Sequence, residues 1–182
     1  MNKKNNTSEG SIWVKSELLP GGSYNVTLDF TPDDSITLTD EEALQYSLAI
    51  LEVAHIAEYE ASILAQMKAA DISETTAARF IADNFRPYRH LPDTGTPLEL
   101  IPGISQRTKQ PFLVIILRGV EVGQWDFKDA REHAQAILDV ICVARLDQVY
   151  YHSLADRLEM AEPQARTMVS LIGKFRPNGV IL

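Results

Sequence analysis

"EALQYSLAILEVAHIAEYE" occupies residues 42–60, and "DAREHAQAILDVICVARLD" occupies residues 129–147. Shifted by 87 residues, one stretch lies over the other. Ala43, Ala49, Ile50, Leu51, Val53 and Ala57 meet Ala130, Ala136, Ile137, Leu138, Val140 and Ala144, and Glu52 meets Asp139. Upstream the match runs on without a gap: "VTLDF" at 26–30 falls on "LVIIL" at 113–117, and "SITL" at 35–38 falls on "VGQW" at 122–125. Downstream the offset grows to 90, and "NFRP" at 84–87 falls on "KFRP" at 174–177. Self-similarity at a fixed spacing is the mark of a repeated structural unit. The shared order of elements carries this reading, because apolar helical positions match by chance more often than whole element orders do.

Each copy reads as three short strands, a long helix and a shorter one. Strand-like runs flank Pro20-Gly21-Gly22, a loop signal. "LDFTPDDSITL" at 28–38 reads as a hairpin, with Gly119 at the corresponding turn of the second copy. Phe112 to Leu117 is continuously apolar, which predicts a central strand buried on both faces. "TDEE" at 39–42 places Thr39 and Glu42 as a capping box for the first long helix, and Asp126 stands at the equivalent position of the second. Tyr46, Ile50, Val53, Ala57, Leu64 and Met67 then recur at helical spacing, as do His133, Ile137, Val140, Ala144, Tyr151 and Leu154. The small residues Ala43, Ser47, Ala54, Ala57 and Ala61 form an adjoining stripe, which fits close approach by the opposite long helix. The short helices are expected over Ser73 to Phe85 and Pro163 to Phe175. Phe-Arg-Pro would end each one, since the residue before a proline is driven out of the helical region.

The fold expected is therefore α+β: an internally duplicated βββαα unit, with antiparallel sheet or sheets packed against two long and two short helices in a pseudo-twofold arrangement. Residues 1–10 read as a disordered polar tail, 11–87 as the first half, 88–97 as a connection, 98–177 as the second half and 178–182 as a C-terminal tail. The two halves are expected to share one core.

The 182 residues are 45% hydrophobic and 23% charged, ordinary values for a globular chain. Phe112 to Leu117, the longest apolar run, falls far short of the roughly 18 residues that span a bilayer. Without an apolar stretch behind Lys3 and Lys4, the N-terminal segment lacks a signal-peptide pattern, and the protein reads as cytoplasmic. Cys142, the single cysteine, excludes an intramolecular disulfide and a cysteine-based zinc cluster. Lying in "DVICVARL", it is expected to be a buried core thiol.

The net charge of −8 is uneven: residues 1–70 balance to −7, 71–127 to −1 and 128–182 to zero. Acidity of this kind argues against nucleic-acid binding, because that is driven by Lys and Arg neutralising phosphates. It suits a basic protein partner, for which Glu41, Glu42, Glu58 and Glu60 are the candidate contacts.

Other groupings are weaker. Glu52 and His55 share a helix face, but their second-copy equivalents Asp139 and Cys142 do not complete a two-metal set, so no metal site and no cofactor are assigned. "FRPYRHLPDTG" at 85–95 gathers Arg86, Tyr88, Arg89 and His90 between the copies, and Arg107 and Lys109 stand in an expected hairpin loop. Arg86, Arg89, His90 and Arg176 are the candidates for a phosphate- or carboxylate-binding junction, because the Arg fork suits planar anions. In "YYHSLADR" at 150–157 the i, i+4 pair His152 and Asp156 reads as a helix-surface pair, and Ser153 lacks the sharp turn of a catalytic serine. No catalytic residue is assigned. With no P-loop, G-x-G-x-x-G, H-E-x-x-H or C-x-x-C, a non-enzyme is favoured, though an enzyme lacking a familiar motif stays open.

Three functions fit. The leading one is a non-catalytic protein–protein interaction module: an adaptor, inhibitor or assembly factor built as an acidic pseudo-dimer. The second is a small-ligand-binding protein or enzyme with its site at the junction of the halves. The third is an acidic inhibitor that mimics nucleic acid. A homodimer is compatible with all three; a membrane is not.

Overall fold

A computed structural model describes residues 13–31, 34–85 and 91–173. The chain runs β1 (Trp13–Leu18), a short 3-10 turn (Pro20–Gly22), β2 (Tyr24–Thr31), β3 (Asp34–Thr39), α1 (Asp40–Ala69) and α2 (Glu74–Asn84). It continues with β4 (Leu98–Ile104), β5 (Pro111–Leu117), β6 (Val120–Asp126), α3 (Phe127–His152), a π turn (Ser153–Arg157) and α4 (Glu162–Gly173). The fold is α+β, with two separate three-stranded antiparallel sheets ordered β1-β2-β3 and β4-β5-β6.

Local chemistry sets the element boundaries. Thr39 caps α1 in a complete capping box: its hydroxyl accepts from Glu42 N at 3.3 Å, while Thr39 N donates to Glu42 Oε2 at 2.8 Å. Asp126 starts α3 by accepting from Lys128 N at 2.9 Å and Asp129 N at 2.8 Å. Both caps hold φ −69 and ψ 168. Ser73 caps α2, which ends at Phe85, directly before Arg86 and Pro87. Phe85 packs edge-on against Tyr59 and Phe80, so the helix end is pinned by aromatic contact. Pro87 and the second Phe-Arg-Pro, like residues 1–10 and 178–182, lie outside the described residues. Between β5 and β6, Arg118 (φ 51) and Gly119 (φ 78) make a two-residue turn with both φ values positive, the geometry that matches hairpin twist.

One core unites the sheets and the long helices. It contains Val26, Leu28 and Leu38 from the first sheet, Leu98, Leu113, Ile115 and Trp125 from the second, and Tyr46, Ile50, Val53, Ile137 and Ile141 from the helices. α1 packs on β4 and β5 as well as on β2 and β3, and α3 packs on β1 and β2 as well as on β5 and β6. Neither sheet is therefore covered by its own helix alone. The two long helices run antiparallel, since Asp40 meets Arg145 at one end and Glu58 meets Arg131 towards the other. The small stripe lies at this crossing: Ala43, Ser47, Ala54 and Ala57 are fully buried, and so are Ala130 and Ala134 opposite. A smaller cluster of Tyr151, Ala165 and Val169 seats α4. No helix among the described residues is long and apolar enough to cross a membrane.

Two expectations need correction. β5 is central in its sheet but buried on one face only. Leu113, Ile115 and Leu117 point into the core, whereas Phe112, Val114 and Ile116 are half-buried on the other side. The cause is the two-sheet architecture, in which the helices packing on this sheet lie on the side of Leu98, Leu100 and Leu113. Cys142 is exposed rather than buried. The buried stripe of α3 runs through Ile137, Val140, Ile141 and Ala144, and one further residue of about 100° turns Cys142 away from it.

Candidate functional site

The α1–α3 seam carries the strongest polar geometry. Ser47 Oγ donates to the main-chain oxygen of Ala134 at 3.0 Å in the buried crossing. At one end, Arg145 Nε and Nη2 donate to Asp40 Oδ2 at 3.2 and 2.9 Å, and the Tyr24 hydroxyl donates to Asp40 Oδ1. Burial, reinforced by the neighbouring Asp40 carboxylate, holds the Tyr24 phenol far above its ordinary range. The hydrogen bond to Asp40 in turn tightens the hold of Arg145 on its proton. At the other end Arg131 pairs with Glu58 and lies over the Phe127 ring, 5.5 Å from its centre. These contacts are mutually satisfied and tie the helices together; they offer no reactive group.

The four acidic candidates are dispersed by the fold. Glu41 is exposed and accepts from Gln45, while Glu42 is engaged in the helix cap, which pulls its carboxyl below the usual range. Glu58 is bound to Arg131. Glu60 is only 2% exposed, and Asp147, 87 residues on in α3, is 6% exposed. Glu60, expected as a surface contact for a partner, is thus buried instead, and Asp147 was not singled out by sequence reasoning; both fall in a helix pattern that reads as surface. Arg86, Tyr88, Arg89, His90 and Arg176 lie outside the described residues. Of the neighbouring cations, Arg107 is exposed in the β4–β5 loop and Lys109 pairs with Glu74 at the start of α2.

Glu52 and His55 are both exposed on α1, and no group of three or more His, Cys, Asp or Glu among the described residues is placed to hold a metal ion. His152 Nδ1 lies 3.1 Å from Asp156 Oδ2 in an exposed i, i+4 pair, as its spacing suggests.

The surface that stands out is the outer face of β4-β5-β6. Its central row is Phe112, Val114 and Ile116, flanked through strand pairing by Ile101 beside Val114 and by Gly103 beside Phe112. A side chain at Gly103 would place Cβ 2.6 Å from Phe112 Cζ, so the ring lies across the neighbouring strand in the space that glycine leaves. Glu99 and Glu121 are the pairing partners of Ile116, and Gln124 and Asp126 those of Val114 and Phe112. The corresponding face of the first sheet has a polar central row and carries the exposed Trp13 on β1, the pairing partner of Asp29. Asn25, Thr27 and Asp29 occupy its central row, Lys15 bonds Asp29 at 2.9 Å, and Thr27 and Thr37 hydroxyls meet at 3.3 Å. The signal was present in the sequence, but continuous apolarity was read as two-sided burial and the exposed side was lost in that reading.

Comparison with protein-family models, with curated proteins and with solved structures gave no match.

Proposed function

We propose that this protein is a non-catalytic protein–protein interaction module, built from two copies of a βββαα unit related by a pseudo-twofold axis along the α1–α3 crossing. The outward row of β5, Phe112, Val114 and Ile116, carries this reading. Those positions stand 87 residues after Asn25, Thr27 and Asp29, so the central row is polar in one unit and apolar in the other. An apolar row on the outward face of a sheet is a surface that a partner can cover. The seam between the helices supports the same view, because its polar groups are committed to each other rather than aimed into a cleft. Acidity throughout the first 70 residues favours a partner that is basic.

A photo-crosslinking residue at position 114, with position 27 as the matched control, tests this in the native host. A defined adduct at 114, absent at 27 and lost on adding Ile116→Lys, is the expected result. No adduct at 114, together with thermal stabilisation by a phosphorylated or carboxylated metabolite, would overturn it in favour of a ligand-binding protein. Reversing Glu41 and Glu42 to Lys asks separately whether the acidic start of α1 contributes. Glu60 is unsuitable for that experiment, because a reversed charge there would be buried.

A further inference from the structure

We infer that the occupant of the β4-β5-β6 outer face is an amphipathic helix of a partner protein, apolar along one side and bearing Lys or Arg beside that stripe; this rests on the interaction-module reading above. Size argues first. Three strands about 4.8 Å apart and seven residues long offer a face roughly 14 Å by 23 Å. One helix, about 10–12 Å across with its side chains, fills that width.

The edges argue against an added strand. β4 carries Pro102 at mid-strand, opposite Leu113, and proline has no N–H to give a new neighbour. β6 is bulged where its pairing shifts between Ile115 and Ile116, which turns the other edge out of register. The flat surface is open while the edges are blunted.

Charge then selects among helices. The ionisable residues at face positions are Glu99, Glu121 and Asp126, and all three are acidic and exposed. Asp126 is occupied by the cap of α3, and Glu121 accepts from Gln124 at 2.8 Å. Glu99 and Glu121 bracket Ile116 from either side, about 10 Å apart across two strand spacings. Of the nearby loop cations, Arg118 stands in the β5–β6 turn, Lys109 is held by Glu74, and Arg107 is exposed in the β4–β5 loop, at the end of the face away from Glu99 and Glu121. A helix with an apolar stripe ending beside a Lys or Arg would place its cation between the two glutamates. A second copy stacked face to face would set carboxylates against carboxylates.

Selection from a display library of random peptides several helical turns long, against the full chain, tests the inference. The enriched peptides should carry apolar residues at i, i+3, i+4 and i+7 with Lys or Arg beside the stripe. Their affinity should fall about tenfold or more with Val114→Asp. It should fall several-fold with Glu99→Lys plus Glu121→Lys, and weaken as salt is raised. Both glutamates are exposed, so that double variant keeps the test intact if Val114→Asp does not fold. Enrichment of peptides alternating apolar and polar, or of peptides without cations, would overturn the inference. So would peptides indifferent to both variants. If position 114 gives its adduct while no peptide is enriched, the helical occupant is wrong and the interaction module stands. If neither appears, both fall.

Discussion

Ser47 donates a hydrogen bond to Ala134, and the two residues are 87 positions apart, the same offset that lays the first helical stretch over the second. Ser47 thus touches the residue that this offset sets opposite it, which is the contact the proposed pseudo-twofold axis requires. The close crossing depends on small side chains, so bulk should be the damaging change. Ser47→Ala removes one hydrogen bond and should cost about 1 kcal/mol or less. Ser47→Leu must push two helices apart in a filled core and should cost about 1–3 kcal/mol. Urea denaturation of the two variants would check the order; equal losses would show that the bond, not the spacing, governs the crossing.

The β1–β2 connection ties the first sheet to the end of α3 through a backbone approach that no side chain can replace. Gly21 and Gly22 both have positive φ, 80 and 87, yet their surroundings differ. Nothing lies within 4 Å of a Cβ built on Gly21, whereas one on Gly22 falls 2.4 Å from Cδ1 of buried Tyr151. Gly21→Ala should therefore cost about 1 kcal/mol of backbone strain alone. Gly22→Ala adds a collision with a packed ring and should cost about 2–4 kcal/mol. Thermal melting of the pair separates the two terms.

Much of this fold was legible because local signals agreed with one another. Thr39, Asp126 and Ser73 marked helix starts, the 3.6-residue stripe from Tyr46 to Ala57 marked a core face, and the alanine stripe pointed to a partner helix. What was not legible depended on which element covers which. Phe112, Val114 and Ile116 look identical in sequence whether a second layer lies over them or not. The ion pairs at the seam were hidden for a related reason. Glu58 and Arg145 stand 87 residues apart, with opposite charges, and each finds its counter-ion near the start of the other long helix: Glu58 with Arg131, Arg145 with Asp40. At the same offset Arg131 falls on Leu44 and Asp40 on Phe127, so laying one stretch over the other pairs neither counter-ion with a charge and does not reveal the bridges.

His133 stacks on Trp125, with ring centres 4.3 Å apart and planes 30° from parallel. Burial lowers its affinity for a proton, partly offset by the carboxylates of Asp129 and Glu132. Its folded pKa is thus below the value of about 6.5 that it regains on unfolding, so the unfolded chain binds the proton more readily. The resulting stability is fully present above about pH 6.5 and is lost as the pH falls through that value towards the lowered folded one. His133→Gln should remove this dependence, leaving a melting temperature that falls less than that of the native protein between roughly pH 8 and pH 5. Parallel curves for the two proteins would mean that the imidazole takes up its proton without loss of packing.

Tyr46 is fully buried, and its hydroxyl has no hydrogen-bond partner among the described residues. Burial alone holds the phenol well above its ordinary range. The ring fills the core between the sheets and the α1–α3 seam, while the oxygen contributes only its desolvation. Tyr46→Phe keeps the ring and deletes the orphan group, and should stabilise the protein by about 1 kcal/mol. Tyr46→Ala empties the site and should cost about 3–5 kcal/mol, in line with other large-to-small changes at buried aromatics. Urea midpoints for the two variants should move in opposite directions from the native value. A loss of about 1 kcal/mol on Tyr46→Phe would instead show that a bound water or another group satisfies the hydroxyl, and that the core at this point is polar by construction.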